Sequence, residues 1–289
     1  ELAGRASAAV YAALQGDEEL ALVYPVHGDR EPRIGADQQL LGPCGQRIEV
    51  APSRIWRDTW RGLGSQDVAA YRKAIEDAGL TVVGLHSLVF DHPELQLFGD
   101  AASVSATLDF MAHLSGVCRD LGGHTLIWGG GRKRGNVGAE EAFARAVDFM
   151  QTLCERTAEH GTVFCFEPLG PNDSDFVNGL DEARAIMNAV GCGNLRLQVD
   201  AKALVENGEV EQAVFDDARD HLVHVHANEP GLDVLGRSGQ IDHAMIGKML
   251  ADIGYAGYVS AEQRMLSETD YMNDARESYE TLRRYYDAG

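Results

Sequence analysis

Four separate stretches of this chain share one pattern, a short apolar run that ends on a metal-type ligand. Val163-Phe164-Cys165-Phe166 runs into Glu167 and then Pro168. Leu195 to Val199 ends on Asp200, Leu222 to Val225 on His226, and Tyr258 to Ala261 on Glu262. Short apolar runs bounded by turn signals read as strands buried on both faces, as in a parallel sheet. Pro168 cannot donate to a strand ladder, so the first of these strands stops at Glu167. Each ligand therefore lies at the carboxyl end of a buried strand, where α/β folds place their chemistry.

The intervals set the architecture. From 167 to 200 is 33 residues, from 200 to 226 is 26, and from 226 to 262 is 36. A (β/α)8 barrel of roughly 250 residues has about 31 residues per strand–helix unit. Each interval thus holds one strand, one helix and their loops, and Glu, Asp, His and Glu arrive in sequence at one rim.

The rest of the chain extends the alternation. Residues 4–19 read as a short N-terminal helical extension, followed by strands at Leu20 to Pro25, Arg47 to Ala51, Thr81 to Leu88 and His124 to Trp128. A short helix is expected near Ala36 to Leu41, and longer ones over 68–78, 100–121, 139–160, 179–190, 205–219, 242–253 and 270–286. Eight strands alternating with helices mean a closed parallel barrel, one α/β domain over 1–289 with the barrel at about 20–287. No linker or low-complexity tract divides it. Neither a G-x-G-x-x-G nor a P-loop is present, so nucleotide binding has no support.

Charge and cysteine usage narrow the function classes. The formal charge of −20 disfavours polyanions, and nucleic-acid binding would show a basic stripe instead. No apolar run approaches the ~18 residues of a membrane span. The five cysteines are scattered without a C-x-x-C pair, which points to reduced thiols and a cytoplasmic location. Nothing in the sequence decides between a monomer, a homo-oligomer and a complex with a partner subunit.

Three carboxylates and one imidazole suit one hard or borderline divalent ion, Mn²⁺ first, with Mg²⁺ or Co²⁺ as alternatives. Such an ion polarises a ketone and stabilises an enediolate. Glu167 and Glu262, on the fifth and eighth strands, could flank a substrate and exchange its α-proton as a general acid/base pair. A polar network at the rim is the structural alternative for the four residues.

Several stretches carry a resemblance. Glu167-Pro168-Leu169-Gly170, Val199-Asp200-Ala201-Lys202-Ala203, His224-Val225-His226-Ala227-Asn228-Glu229-Pro230, Ser260-Ala261-Glu262 and Glu49-Val50-Ala51-Pro52-Ser53 look like motifs of xylose-isomerase-like TIM barrels. The Gly-rich loop with Arg132 and Arg134 also resembles that group, and the likeness covers about residues 20–285. The single-metal sugar phosphate isomerase/epimerase branch includes ketose 3-epimerases and inosose dehydratases. The resemblance implies that Glu167, Asp200, His226 and Glu262 bind the metal and that Glu167 and Glu262 are the acid/base pair. Two positions depart from the ketose 3-epimerase pattern: Ala203 stands where a His is usual and Leu232 where an Arg is usual. The metal set carries over, and those substrate contacts do not.

Substrate-binding candidates around the rim each have a structural counter-reading. His86 contacts a sugar or packs in the core. Trp128 walls the pocket or packs at the barrel top. Arg134 belongs to a loop over the site or to a solvated turn. Lys202 meets substrate or phosphate, or is a solvated lysine, and Glu229 partners sugar hydroxyls or Lys202. The sequence thus reads as a metal-dependent isomerase or epimerase acting on a keto-sugar or polyol-derived ketone, with a small carbohydrate substrate. The alternative on the same scaffold is a lyase, of the inosose dehydratase or 3-keto C-glycoside deglycosidase kind. A related apurinic endonuclease would need three metals and a basic groove, which the acidic chain lacks.

Overall fold

Seven of the apolar runs form parallel strands in a computed structural model that describes residues 20–25 (backbone only), 47–264, 266–267 and 269–287. In chain order the elements are β1 (Leu20–Pro25), β2 (Arg47–Val50), α1 (Pro52–Ile55), α2 (Ser65–Asp77), β3 (Thr81–Leu85), α3 (Ala101–Leu121) and β4 (Thr125–Trp128). There follow α4 (Ala139–Arg156), β5 (Val163–Phe166), α5 (Leu180–Val190), β6 (Leu195–Asp200), α6 (Ala201–Asn207) and α7 (Gln212–Ala218). The last are β7 (Leu222–Ala227), α8 (His243–Asp252), β8 (Tyr258–Gln263) and α9 (Tyr271–Tyr285). Strands β2 to β8 pair in sequence order, and the ring closes through β1.

That closing strand corrects the expectation of eight parallel strands. β1 is antiparallel to both β2 and β8, with Ala21 opposite Glu49 on one side and Glu262 on the other. An apolar run reports that a strand is buried and carries no information on its direction. In either direction β1 covers the exposed edges of β2 and β8. The expected helical extension over 4–19, the helix near 36–41 and Cys44 lie outside the described residues.

Local signals set most boundaries. Asp100 caps α3 by accepting from the Ser103 N–H at 2.8 Å, and Gly122 ends that helix with φ of 87°. The single helix expected over 205–219 is two, because Gly208 adopts φ of 69° and stops α6 before α7 begins. The helix expected to reach His160 breaks at Arg156, with a separate 3₁₀ turn at Ala158–His160.

Side chains alternate between the barrel interior and the helix layer. Trp128 stacks on Phe166 of the next strand, at 5.4 Å between ring centroids, and meets Phe149 of α4 at 5.3 Å. Phe166 therefore faces the helices, and Glu167, one residue later, faces inward. The cysteine expectation is corrected too. Cys154 at the end of α4 and Cys192 after α5 are joined as a disulfide, with Cα atoms 6.7 Å apart. Side-by-side packing of α4 and α5 brings together two positions 38 residues apart, which no local spacing reveals. Cys118 and Cys165 are free and buried.

The seam between α8 and α9 depends on Gly247, where an added Cβ would lie 1.9 Å from the Tyr285 carbonyl oxygen. Backbone cannot swing aside as a side chain can. Gly247→Ala is expected to cost about 1–3 kcal/mol of stability, read as a lower urea midpoint at unchanged slope.

Candidate metal centre

Glu167 follows β5, Asp200 ends β6, and His226 and Glu262 lie near the ends of β7 and β8. Each offers one ligand atom, and these four atoms all lie within 4.8 Å of one another. The register explains the convergence, since Asp200 pairs with His226 across the ladder and each next strand delivers its inward residue to the same rim. Of the four, Glu262 alone is partly exposed.

Neighbouring side chains fix each ligand. His226 Nδ1 is 2.9 Å from Glu167 Oε1 and 3.5 Å from Glu262 Oε2, so this ring nitrogen faces the carboxylates. Gln198, two residues before Asp200 on the same inward face, donates to Glu167 Oε1 at 3.1 Å. The Asn228 amide donates to Asp200 Oδ2 and, at 2.9 Å, to Glu262 Oε2, while its carbonyl accepts from the Lys202 N–H at 2.9 Å. Asp200 Oδ1 accepts from the Ala203 N–H at 2.8 Å and so caps α6. Gly129 makes room for the first carboxylate, since an added Cβ there would lie 2.1 Å from Glu167 Oε2.

The charge distribution follows from burial and crowding. Burial raises the Asp200 carboxyl, and the carboxylates of Glu167 and Glu262 raise it further, to about 8. Burial also pushes Glu262 upward, but the His226 imidazole outweighs it and holds this group at about 2. Burial disfavours a charged His226, yet Glu49 and Glu262 override it and hold the ring well above an ordinary histidine. Oxygen-rich donors around one imidazole match the preferences of a divalent cation, and the four residues could hold one.

The other sequence-derived candidates divide. His86, just beyond β3, is buried with Nδ1 3.9 Å from Glu262 Oε1 and its ring 6.1 Å from that of His226. It borders the cluster. Trp128 does not, because strand alternation turns it into the helix layer, which corrects the pocket-wall reading. Glu229 is wholly buried and accepts from the Gly236 N–H at 2.7 Å, from Ser238 and from His243 at 3.0 Å. Those contacts occupy both of its oxygens and correct the expectation of a sugar or Lys202 partner.

Lys202 Nζ forms ion pairs with Asp173 at 2.6 Å and Glu206 at 3.1 Å, tying the loop after β5 to α6. Arg134 donates to the carbonyls of Asp175 and Val137, each at 2.9 Å, and shapes its own loop. The buried arginine of this loop lies two residues earlier. Arg132 is buried and donates to the carbonyls of Trp128, Phe176 and Glu167, clamping the chain where Glu167 emerges. Sequence reasoning did not single out Glu49, Gln198 and Asn228 as site residues. The available signal was position, each being an inward residue on or just beyond a ligand-bearing strand or its counterpart.

Comparisons with known proteins agree with this fold. The family model described as "Xylose isomerase-like TIM barrel" matches residues 47–285. D-psicose 3-epimerase of Ruminiclostridium cellulolyticum is 29% identical over 119 residues, 41% of this chain and 40% of that protein. The match thus spans well under half of the relative's length. Among solved structures, D-psicose 3-epimerase with D-tagatose from Clostridium cellulolyticum superposes with a TM-score of 0.72 at 18% identity, covering 84% of this chain and 90% of that one. D-allulose 3-epimerase of Methylomonas sp. in complex with D-allulose gives 0.69 at 20% identity over 99% and 92%. The 3-keto-D-glucoside 4-epimerase of E. coli gives 0.65 at 19% identity over 76% and 84%. At these identities the superpositions establish the fold. No helix among the described residues is long and apolar enough to cross a membrane.

Two outcomes test the cluster. Gly129→Ala is expected to displace the Glu167 carboxylate and weaken Mn²⁺ binding at least tenfold, read by titration of the metal-free protein. Cation binding near neutral pH is also expected to release protons. Asp200, raised to about 8, must lose its proton, and His226 must free Nδ1. Affinity should therefore climb between about pH 6 and pH 8. Calorimetry in buffers of different ionisation enthalpy measures the release, and a heat independent of buffer would contradict it.

Proposed function

The chain belongs to the xylose isomerase-like TIM barrel family, and from that premise we propose that it is a metal-dependent epimerase of keto-sugars. The observation that carries this reading is the placement of two glutamates, Glu167 and Glu262, on strands β5 and β8 at one four-ligand centre. One carboxylate can then withdraw the proton on the carbon beside a carbonyl while the other delivers a proton to the opposite face, which inverts that carbon. Glu167, Asp200, His226 and Glu262 hold the ion in this reading, with Mn²⁺ the first choice. A divalent cation held there would supply Lewis-acid polarisation of the substrate carbonyl.

The surrounding residues support proton transfer. Gln198 and Asn228 hold Glu167 and Glu262 through neutral amide donors, which leave the carboxylates free to change protonation without losing position. His86, beside Glu262, is the side chain best placed to contact the substrate among those the sequence suggested. The named relatives act on psicose, allulose and a 3-keto-glucoside, and all are epimerases, so retention of every substituent is the reading adopted over elimination. Ala203 and Leu232 stand where the ketose branch carries two polar contacts, so keto-glycosides belong in the substrate panel beside free ketoses.

Incubation of the Mn²⁺-loaded enzyme with D-psicose, L-ribulose and 3-keto-glucosides in D₂O tests the proposal by NMR. The expected result is an epimer pair that carries solvent deuterium at the inverted carbon. Glu167→Gln and Glu262→Gln should each lower turnover by about 10²–10⁴-fold. Release of water or an aglycone from the same panel, or full turnover by Glu262→Gln, would overturn it.

A further inference from the structure

Glu49 lies on β2, separated from β7 by β1 and β8 around the barrel, and is almost completely buried. Its Oε2 is 2.9 Å from His226 Nε2 and 3.3 Å from His224 Nε2. Its hydrogen bonds among the described residues run to these two rings, and its Oε1 has no hydrogen-bond partner. A buried carboxylate is costly unless a partner compensates it, and an apolar residue would fill this place at lower cost.

We propose that Glu49 is a positioning residue that selects which nitrogen of His226 meets the cation, an inference that rests on the metal-site reading above. A carboxylate can only accept, so the Nε2 beside it must carry the proton. Nδ1 faces Glu167 and Glu262 and carries a proton in the metal-free chain as well; a cation displaces that proton while Glu49 retains the one on Nε2, so the lone pair is left on Nδ1. A ring without this anchor could flip or exchange tautomers and present N–H to the cation. The anionic acceptor behind the ring also makes the imidazole a stronger donor. His224 donates to the same oxygen, and its Nε2 lies 3.0 Å from Ser260 Oγ, which fixes the direction from which Glu49 approaches.

The test needs the full chain, stripped of metal by a chelator and titrated with Mn²⁺, the free ion being read by its paramagnetic resonance signal. Glu49→Gln keeps the side-chain shape but removes the charge, and its amide can donate as well as accept. The expected result is an affinity about ten- to a hundredfold weaker than that of the unaltered chain. Nitrogen NMR of histidine-labelled, Mg²⁺-loaded unaltered chain should show His226 protonated at Nε2. This second measurement stands even if the variant does not fold.

Equal Mn²⁺ affinity in Glu49→Gln, or a proton on Nδ1 of the loaded chain, would overturn the positioning role while leaving the metal site intact. Glu49, His224 and His226 also form a tight ligand-type group. Two bound Mn²⁺ per chain falling to one in Glu49→Gln would make Glu49 a ligand and likewise overturn the proposal. An unaltered chain that binds no Mn²⁺ would sink the metal-site reading with it.

Discussion

Three carboxyl groups gathered with an imidazole, their ligand atoms within 4.8 Å of one another at the mouth of a barrel, repel one another as they ionise. Burial together with that repulsion lets Asp200 keep its proton up to about pH 8. At an effective dielectric constant of about 20, a pair at that distance costs about 3 kcal/mol. The surrounding structure can be understood as the means of tolerating that cost. His226 lies among the carboxylates and takes on positive character, and Arg132 adds a buried cation beside the Glu167 carbonyl. Gln198 and Asn228 supply donors that do not titrate. A divalent ion would remove the remaining imbalance, and the crowding that destabilises the mouth would then favour its binding.

The barrel makes this crowding possible because strands are rigid where loops are not. Parallel β5 to β8 deliver their inward residues at nearly the same height, and Gly129 after β4 leaves the space that the Glu167 carboxylate fills. The loop after β4 is clamped by Arg132, the loop after β5 by Lys202, and the loop after β7 by the buried Glu229 with His243 and Tyr286. Residues that look like binding groups in the sequence thus serve as fasteners for the segments that frame the site.

The difference between legible and hidden features has a physical basis. Glu167, Asp200, His226 and Glu262 were readable because each follows an apolar run and the runs recur at the length of one strand–helix unit. Strand direction is not encoded in an apolar run, so the antiparallel β1 was not foreseen. Trp128 was misplaced because a residue at a strand end can face either layer, and only the phase of the alternation against Phe166 decides. Glu229 and Lys202 show the same limit for charged residues, whose partners at 236–243 and 173 are chosen by loop packing. Glu49 is the extreme case, bonded to a ring 177 positions away.

Asp200 divides its two oxygens between unrelated duties, Oδ1 to the start of α6 and Oδ2 to the cluster. With Oδ1 turned to a backbone amide, Oδ2 is the oxygen that faces the other carboxylates and would be the one offered to an ion. A cation that favours octahedral surroundings would then find its protein donors too few to complete the shell. In the proposed reading those open positions would receive two adjacent oxygens of the substrate, as in a hydroxy-ketone.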